Sequence, residues 1–593
     1  MIKTIGILGF GIVGRSALSF VKKREKELYK FLFGDSVQGM LIPFVWDEKM
    51  ITEQDMKLLA GHGASFVFAG TIKLKTFLSM HDYVLVSPGV NTNEVGLEDK
   101  TIACELDLFS VFFKKPTIAI TGTLGKTTIT KLLAKILASV EYQETSFINI
   151  GDQDYGVTIV EGGNVGRGML DLIDQEEFID CAVLELSSFQ LERSKTFAPD
   201  IAVLTNFFHN HLDRHETVEN YFEAKWKLFA YQTENQVAIV PVGLVCAHVL
   251  RQAQDERRDN RVTSSVVCDG EAPLASAHIE LEIGSDDITL GARPEEPAVA
   301  QSQNDYQDNQ ASTPAARGEE PAEATLRSFD EAQDKFRLGV SNHMSVQIQE
   351  KLKNLRSRLC IVCFDTFDEV LLARIPRDQF WVLTIQDGYA TMLHIQNHVI
   401  VQCTQLFELT VLPDVTFLEN WLIIIATLYF TGVDFISLKR VLAQSIQLDD
   451  HHHRLELFAT SNQVTFYNDS KSTVVQATEA AVKKLASLDR PLILILGGIG
   501  KGVDRSTLMS FLAGIKTIKK VYCFGKECSV FAGCEQFDHL ELVVDAVFAT
   551  MSPGDLVLFS PSGASFDFFD NYKHRGDVFK DLVLKKAATV SSK

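Results

Sequence analysis

Residues 120–128 read Ile-Thr-Gly-Thr-Leu-Gly-Lys-Thr-Thr, a glycine-containing turn followed by a lysine and two threonines. The apolar run 117–120 predicts a buried strand, and the apolar spacing in 129–138 predicts a helix. Strand, turn and helix in this order form a phosphate cradle, because backbone N–H groups and the helix N-terminus face the anion. In such a loop Lys126 adds a positive charge and the Thr127 hydroxyl binds Mg²⁺. The stretch therefore predicts a nucleoside triphosphate site in an α/β protein.

The loop is a shortened version of the common pattern G-x-x-x-x-G-K-[ST], because position 120 is Ile where that pattern has Gly. A glycine turn before an ordinary surface helix is the alternative interpretation. We prefer the phosphate loop because its four characteristic residues coincide in the right context. These residues are Gly122, Gly125, Lys126 and Thr127.

Length and composition limit the class of protein. The 593 residues predict about three domains of roughly 150 residues each. With 46% hydrophobic and 23% charged residues, the chain resembles an ordinary globular protein. The net charge of −20 argues against general nucleic-acid binding, so an anionic substrate needs local Lys and Arg clusters. The N-terminus has no secretory pattern, and the longest apolar run, 421–430, is too short to span a bilayer, so we expect a cytoplasmic protein.

Cysteine and histidine clusters do not predict a dedicated metal site. The ten cysteines are scattered, as is typical of free thiols in a reducing compartment. Cys360-x-x-Cys363 could be a redox or metal pair, but it lies in a strand-like apolar run, so we expect a core position. The three adjacent histidines at 451–453 cannot all face one ion.

The N-terminal part, 1–114, is predicted to recognise a nucleotide. Strand 4–8 leads into Gly9-x-Gly11-x-x-Gly14 and a helix near Arg15, the arrangement of a Rossmann-like unit, although the motif alone is weak evidence for NAD. The next strand, 41–46, ends in Asp47, which could accept a hydrogen bond from a ribose or a base. A third strand, 83–87, runs into Pro88-Gly89 at a carboxyl end, where α/β proteins bind ligands.

The central part places further polar groups after apolar strands. The run 181–190 predicts a strand with Glu185 near its end, where a phosphate loop needs a Mg²⁺ ligand. Strand 201–206 leads to His211, a second candidate metal ligand. From about 250 to 338 the composition becomes polar, which predicts a largely disordered or loosely helical insertion without a catalytic role, with a hairpin at 277–290.

The C-terminal part is again predicted to be α/β. Three predicted strands, 463–467, 491–496 and 555–559, each end in a polar run. Because the carboxyl ends of parallel strands meet at one edge, these runs predict a ligand site there. The runs begin at Asn468, Gly497 and Ser560.

Taken together, these motifs resemble the Mur ligase family of peptidoglycan synthesis. The resemblance covers nearly the whole chain apart from an insertion near 244–345. Seven motifs carry it: T-G-T-x-G-K-T at 121–127, L-E-L-S-S-F-Q-L-E at 184–192, H-L-D-R-H at 211–215, H-R-L-E at 453–456, N-D-S-K-S-T at 468–473, G-G-x-G-K-G at 497–502 and S-P-S-G-A-S-F-D-x-F at 560–569.

The resemblance implies an α/β fold with three domains. These are an N-terminal Rossmann-like domain for the UDP part (1–114), a central P-loop ATPase with a mostly parallel sheet (115–450), and a C-terminal Rossmann-like domain for the amino acid (451–593). The implied activity is ATP-dependent addition of D-glutamate to UDP-N-acetylmuramoyl-L-alanine through an acyl phosphate, with Mg²⁺ as cofactor. The implied partners are these small molecules only, without nucleic acid or a membrane span, and the protein would be a cytoplasmic monomer.

The same resemblance implies roles for individual residues. ATP would contact Gly122, Thr123, Gly125, Lys126, Thr127, Thr128, Asn164, Asn420, Arg454 and Asp469. Metal ligands would be Thr127, Glu185, His211 and a carbamylated Lys225, and the catalytic groups would be Lys126, Glu185, His211 and Lys225. The UDP-linked substrate would contact Gly14, Asp47, Ser87, Pro88, Gly89, Ser187 and Gln190. D-Glutamate would contact Lys471, Thr473, Lys501, Ser565 and Tyr572.

Three departures from the family pattern bear on ATP affinity and on the metal site. Leu124 replaces a usual Asn, Asn210 replaces a usual Asp, and 414–417 replaces a G-x-H-N run of which only Asn420 is kept. Two alternatives stay open at this point. One is another Mur or folylpolyglutamate-type amide ligase, and the other is a diverged nucleotide-binding homologue without catalysis.

Overall fold

The computed structural model of this chain contains three β-sheets among its described residues, and helices pack on them. The structure describes residues 1–34, 39–90, 102–142, 157–164, 167–245, 342–364, 367, 372–373, 375–413, 416–443 and 452–591. They belong to one compact unit formed by Met1–His248 and Phe336–Lys593. The predictions for 250–338, its hairpin at 277–290 and residues 414–415 lie outside the described residues.

The first sheet is fully parallel, with strand order β3-β2-β1-β4-β5. Its central strand β1 is apolar and has Ile5, Ile7 and Leu8 fully buried, because parallel strands are covered on both faces. The strands are β1 Ile2–Leu8, β2 Met40–Asp47, β3 Ser65–Phe68, β4 Tyr83–Val86 and β5 Ile102–Ala103. The helices are α1 Ile12–Lys23, α2 Glu25–Phe33, α3 Glu53–Gly61, α4 Leu74–Ser79 and α5 Glu105–Phe112.

The second sheet has nine strands in the order β14-β13-β12-β11-β10-β9-β6-β8-β7. Strands β6 to β12 pair in parallel, whereas β13 and β14 extend the sheet as an antiparallel meander. The phosphate-loop strand β6 lies between β8 and β9, so the ends of all three strands meet beside the loop. The strands are β6 Thr117–Thr121, β7 Ile159–Gly163, β8 Cys181–Glu185, β9 Ile201–Leu204, β10 Val237–Pro241, β11 Arg358–Val362, β12 Gln379–Gln386, β13 Tyr389–Gln396 and β14 Val399–Glu408.

Helices cover both faces of this second sheet. The helix after the phosphate loop packs on a very apolar helix, Leu418–Thr431, whose residues 421–428 are buried. The helices are α6 Lys126–Leu137, α7 Met169–Ile173, α8 Ser188–Leu191, α9 Leu212–His215, α10 Val218–Ala230, α11 Val242–Val245, α12 Asn342–Asn354, α13 Leu418–Thr431 and α14 Phe435–Ala443, with short 3₁₀ helices at Glu176–Phe178 and Leu409–Val411.

The third sheet has six strands in the order β15-β16-β20-β17-β18-β19, and only the edge strand β15 is antiparallel. The strands are β15 Glu456–Ser461, β16 Val464–Asn468, β17 Leu492–Gly497, β18 Ile518–Phe524, β19 Glu535–Phe537 and β20 Leu556–Phe559. The helices are α15 Val475–Ala486, α16 Thr507–Ala513, α17 Leu540–Thr550 and α18 Tyr572–Ser591, with a 3₁₀ helix at Cys528–Val530.

The predicted α/β class with mostly parallel sheets is confirmed, and most predicted strands lie within two residues of the observed ones. One prediction was too long: the strand predicted for 181–190 ends at Glu185, because Ser187 caps the short helix α8. Cys360 and Cys363 lie in the core, as expected. The predicted domain boundaries near 114 and 450 stay a prediction. Among the described helices, none has the length and apolar character needed to cross a bilayer.

Candidate active site

The phosphate loop ends at the first residue of α6. Gly125 is the N-cap of α6 and has a left-handed backbone with φ 80°, which favours glycine. A Cβ at this position would lie 2.6 Å from Asn420 Oδ1. Asn420 comes from α13, some 300 positions later in the chain, so the tertiary structure brings this predicted ATP residue against the loop.

Strand β9 holds the loop from the other side. Asn206 Oδ1 accepts hydrogen bonds from the N–H groups of Thr123 (3.2 Å) and Leu124 (2.8 Å). The Thr205 hydroxyl donates to the Leu124 carbonyl at 2.5 Å. These bonds use only the backbone of Leu124, so the leucine does not prevent the loop from forming. Sequence reasoning missed Asn206 as a functional residue; its signal was an amide at the end of the strand beside the loop.

Two lysine side chains meet at one carbonyl oxygen of the loop. Lys126 Nζ donates to the Gly122 carbonyl at 2.9 Å, and Lys225 Nζ donates to the same oxygen at 2.8 Å. Burial lowers the pKa of Lys225 well below its ordinary value, and the nearby Lys126 lowers it further. Burial also lowers the pKa of Lys126, although Glu185 opposes this effect. The Lys225 amine is therefore driven towards its neutral, nucleophilic form.

Glu185 offers one carboxylate oxygen to a cation. Its Oε1 accepts a hydrogen bond from Asn164 Nδ2 at 3.1 Å, while its buried Oε2 has no hydrogen-bond partner among the described residues. Such an oxygen is costly unless a cation or a donor reaches it. Within the described part of the chain, no group of three or more His, Cys, Asp and Glu side chains is placed to hold a metal. The predicted site contains only two such residues, Glu185 and His211, beside Thr127 and Lys225.

His211 has a constrained backbone and a neutral ring. Its φ of 55° is unusual for a residue with a side chain, and its N–H donates to Asn210 Oδ1 at 2.9 Å. Burial lowers the pKa of His211 to about 3, and the neighbouring positive charges of Lys501, Lys225 and Lys126 add to the effect. Neutral imidazole is the form that binds metals. A Cβ on Gly502 would lie 3.7 Å from Leu212 Cβ, so a strand-end loop of the third sheet contacts the residue after His211.

A second contact joins these two sheets. Arg454 Nη1 donates to the Thr128 hydroxyl at 2.9 Å, so an arginine that precedes β15 reaches the first turn of α6. Nearby, Asp469 accepts from the Leu455 N–H at 3.1 Å and from the Ser560 hydroxyl at 2.7 Å. Burial raises the pKa of Asp469 to about 7. The three predicted ATP residues Thr128, Arg454 and Asp469 are thus close together.

The predicted amino-acid residues lie at the carboxyl edge of the third sheet. Lys471 Nζ donates to the Tyr572 hydroxyl at 2.9 Å and lies 4.1 Å from the centre of its ring. Burial, followed by the charge of Arg454, lowers the pKa of Lys471 to about 7. Lys501 has a left-handed backbone, with φ 51°, and burial lowers its pKa. Thr473 is half-buried before α15, and Ser565 is buried in the loop after β20.

Arg575 was not among the predicted site residues, but it joins two loops at the carboxyl edge of the third sheet. Its guanidinium is fully buried and donates to the Ser470 carbonyl at 2.7 Å and to the Gly563 carbonyl at 2.9 Å. Burial lowers its pKa to about 9, although Asp567 and Asp469 oppose this effect. No clear sequence signal marked it, because its helix carries many charged residues and the Ser470 loop lies 105 positions away.

The predicted UDP-side residues shape the first sheet's carboxyl edge. Asp47 accepts a hydrogen bond from the Phe10 N–H at 2.6 Å, and the Ser87 hydroxyl donates to the Gly9 carbonyl at 3.0 Å. A Cβ at Gly14 would lie 2.0 Å from the same carbonyl oxygen, so glycine is required for close packing there. Pro88 and Gly89 form the adjoining turn, closed by the Val90 N–H donating to the Ser87 carbonyl at 3.0 Å.

Ser187 and Gln190 form the capping box of helix α8. The Ser187 hydroxyl accepts from the Gln190 N–H at 3.3 Å, and Gln190 Oε1 accepts from the Ser187 N–H at 3.0 Å. This reciprocal capping gives the two residues a structural function. Their predicted contact with the UDP-linked substrate stays a prediction.

Comparisons with known proteins find similar sequences along most of the chain. The family model for the Mur ligase middle domain matches residues 120–291, and the model for the Mur ligase glutamate ligase domain matches 453–563. The chain is 27% identical to the UDP-N-acetylmuramoylalanine--D-glutamate ligase of Acidobacterium capsulatum over 98% of this chain and 96% of that protein. It is 26% identical to the protein of the same name from Pelotomaculum thermopropionicum, over 85% of this chain and 83% of that protein.

Among solved structures, MurF from Acinetobacter baumannii aligns with 94% of this chain and 87% of its own chain, at 13% identity and a TM-score of 0.44. Both family models belong to one family, and they cover the phosphate loop and the strand-end loops of the third sheet. The relatives extend the match to nearly the full length. Residues 120–291 and 453–563 of this chain therefore match two domains of the Mur ligase family.

Proposed function

We propose that the protein is an ATP-dependent ligase that joins D-glutamate to UDP-N-acetylmuramoyl-L-alanine, a step of peptidoglycan precursor synthesis. The names and coverage of its relatives support this substrate pair. The observation that carries the proposal is the meeting of two sets of residues. The segment after His211 lies beside the strand-end loop of the predicted amino-acid site, because a Cβ on Gly502 would be 3.7 Å from Leu212 Cβ. Arg454 Nη1 also donates to the Thr128 hydroxyl, beside Lys126, at 2.9 Å.

The reaction has two chemical steps. The alanine carboxylate attacks the γ-phosphorus of ATP, which gives an acyl phosphate and ADP. The amine of D-glutamate then attacks the acyl carbon, and inorganic phosphate leaves as the amide bond forms. Lys126 would offset negative charge on the transferring phosphoryl group, with the N–H groups of the loop. Both steps gain from holding the reactants next to each other.

Mg²⁺ would be held by Thr127, Glu185 and His211, and when bound it would offset phosphate charge and align the reacting oxygens. The unpartnered Glu185 Oε2 supports this assignment because a hard cation prefers carboxylate oxygen. ATP would contact the phosphate loop and four residues from elsewhere: Gly122, Thr123, Gly125, Lys126, Thr127, Thr128, Asn164, Asn420, Arg454 and Asp469.

Lys225 would act as a carbamate rather than as an amine. A neutral amine reacts with CO₂ to give a carbamate and a proton, and the depressed pKa of Lys225 favours the neutral form. The change would replace a positive charge next to Lys126 by a negative one. The carbamate oxygens would add an oxygen ligand to the metal site.

Substrate contacts are proposed as the motifs indicate. Gly14, Asp47 and the Ser87–Gly89 turn would bind the UDP part, with Ser187 and Gln190 along the muramoyl-peptide path. Lys471, Thr473, Lys501, Ser565 and Tyr572 would surround the carboxylates of D-glutamate. We further propose domain boundaries near 114 and 450, a cytoplasmic location and a monomeric state.

The test is a ligation assay with purified protein, ATP, Mg²⁺, UDP-N-acetylmuramoyl-L-alanine and D-glutamate, followed by mass spectrometry of the product and by phosphate release. We expect product with D-glutamate and little with L-glutamate, L-lysine or a folate acceptor. Lys126→Ala should abolish product, whereas Lys135→Ala, on the exposed face of α6, should not. Product only with another acceptor would support a sibling ligase. ATP binding without product from any acceptor would support a non-catalytic homologue.

A further inference from the structure

Arg214 on helix α9 bridges the first and second sheets. Its Nη1 donates to the Pro88 carbonyl in the turn after β4 at 2.6 Å. Its Nη2 donates to Glu192 Oε1, at the end of α8, at 2.5 Å. Both side chains of this ion pair are mostly buried, with 11% and 18% of their surface exposed. Breaking one partner of such a pair leaves a buried charge uncompensated, so the bridge holds its geometry firmly.

The same guanidinium lies on an aromatic ring that supports His211. The Arg214 guanidinium carbon is 4.3 Å from the centre of the Phe189 ring, a cation–π contact. The Phe189 and His211 rings make an edge-to-face contact, with ring centres 4.9 Å apart and an angle of 68° between the ring planes. On its other side Phe189 stacks on His215, at 5.3 Å and 21°, and His215 Nε2 is 2.9 Å from the Ser188 hydroxyl.

The position of His211 depends on its neighbours, because its backbone conformation is unfavourable by itself. The left-handed φ of 55° is a strained conformation that persists only where surrounding contacts determine it. The backbones of the two residues are joined directly by the Arg214 N–H donating to the His211 carbonyl at 3.1 Å, and between their side chains the Phe189 ring contacts both. A displacement of Arg214 would therefore pass through Phe189 to the imidazole.

From this chain of contacts, and resting on the proposed function, we propose that Arg214 is a positioning residue that couples binding of the UDP-linked substrate to binding of the metal–nucleotide complex. Substrate on the Ser87–Gly89 turn fixes the Pro88 carbonyl, Pro88 fixes Arg214, and Arg214 with Phe189 fixes the His211 ring. The metal–nucleotide complex then binds a site that is already ordered, which reduces the entropy cost of binding. Because such coupling is reciprocal, the nucleotide complex must also strengthen binding of the UDP-linked substrate.

The test measures binding without turnover, so it does not depend on activity. Calorimetry on the full chain measures the Kd for binding of a complex of Mg²⁺ and a non-hydrolysable ATP analogue. The measurement is made with and without saturating UDP-N-acetylmuramoyl-L-alanine. In the wild type we expect the substrate to lower this Kd about fivefold or more. In Arg214→Lys, which keeps the charge but loses the fork that reaches two acceptors, we expect the ratio to fall towards one.

Two further variants distinguish a loss of coupling between the two ligands from a general loss of structure. Arg193→Lys alters another guanidinium beside Glu192 (3.6 Å) and should keep the wild-type ratio. Phe189→Leu keeps the Arg214 ion pairs and should weaken binding of the nucleotide complex several-fold, with the Kd of the UDP-linked substrate unchanged. Circular dichroism and the melting temperature verify that each variant is folded.

The outcomes for Arg214 and for the proposed function differ. A wild-type ratio of one, or an Arg214→Lys ratio equal to that of the wild type, overturns the coupling while both ligands still bind. A Phe189→Leu protein that binds both ligands as the wild type does overturns the route through Phe189. A wild-type protein that does not bind UDP-N-acetylmuramoyl-L-alanine overturns the proposed function itself, and the coupling with it.

Discussion

Burial and nearby charges set the pKa values of the two lysines in this site. Lys126 and Lys225 approach the same carbonyl oxygen, and the protein holds both pKa values below their ordinary range. Glu185 stands nearby with one buried oxygen unpaired. Two buried amines and a carboxylate oxygen without a partner among the described residues are costly by themselves, but they suit anionic phosphates and a metal ion.

Replacing Lys225 tests whether it acts as a carbamate. In Lys225→Ala we expect turnover in the ligation assay to fall about 100-fold, because metal-site groups of this kind contribute factors of 10–100. Acetate should restore part of the rate, because a small carboxylate can replace the missing carbamate oxygens. Lys135→Ala is the matched surface control. Undiminished turnover in Lys225→Ala would show that the carbamate is not needed.

His81 predicts a pH dependence of folding that is separate from catalysis. Its ring lies between Phe44 and Phe77, and both ring nitrogens are buried without a hydrogen-bond partner among the described residues. Burial lowers its folded pKa, against the opposing charge of Asp82. The neutral form is thus favoured on folding, and stability is lost as the pH falls below the unfolded value of about 6.5.

We expect His81→Phe to remove this loss, because the ring shape is similar and no hydrogen bond is broken. Urea unfolding at pH 7.5 and 5.5 measures it; the wild type should lose at most about 1.4 kcal/mol more than the variant at pH 5.5. His398→Asn, at an exposed position, is the control. An identical pH dependence in His81→Phe and wild type would refute the prediction.

At the scale of elements, the strand–loop–helix unit from β6 to α6 is held by partners from elsewhere in the chain. Thr205 and Asn206 bind its backbone from β9, and Asn420 closes against Gly125 from α13. The phosphate loop therefore depends on two other elements for its shape. These contacts use only the backbone of Leu124, so they do not depend on an amide side chain at that position.

Gly125→Ala tests that shape. The added Cβ would meet Asn420 Oδ1 at 2.6 Å in a left-handed backbone, which costs about 1–2 kcal/mol. We expect ATP affinity to fall about tenfold, measured by calorimetry, while the melting temperature changes little. Gly61→Ala is the control, since a Cβ there has nothing within 4 Å. Unchanged ATP affinity would mean that the loop adapts to the larger residue.

At the scale of the whole molecule, the predicted site residues lie at the carboxyl edges of three sheets. The strands of the first sheet lie within residues 2–103, those of the second within 117–408 and those of the third within 456–559. The Arg454–Thr128 hydrogen bond and the Arg214–Pro88 hydrogen bond connect them in pairs. A ligase that joins three substrates requires such connections, because each substrate would be held by a different sheet.

The polar segment 250–337 should be dispensable. Its composition predicts no catalytic role, and the flanking helices α11 and α12 contact each other directly, with Gln349 Nε2 donating to the Val245 carbonyl at 2.7 Å. We expect a chain with 250–337 replaced by a short Gly-Ser linker to retain most ligation activity. The uncut chain is the reference. Loss of soluble protein on deletion would identify the segment as part of the fold.

Much of the fold could be predicted because its signals are local. The apolar runs of β1, β6, β8 and β17 stand out, since strands buried on both faces must be apolar along their whole length. The amphiphilic edge strands β15 and β19 were not predicted, because a half-exposed strand of three to six residues differs little from a loop. The short helix α8 was predicted as strand for a different reason, because Phe189 and Leu191 continue the apolar run of β8.

The sequence by itself determined the phosphate loop, the polar strand ends and the resemblance to Mur ligases, because each is a run of neighbouring residues whose chemistry does not depend on distant parts of the chain. Only the tertiary structure decided that Lys126 and Lys225 share one carbonyl, that Asn206 shapes the loop, and that Arg575 joins two strand-end loops. These arrangements depend on contacts between residues tens to hundreds of positions apart. Spacing in the sequence does not encode such distances, whereas strand order and packing do.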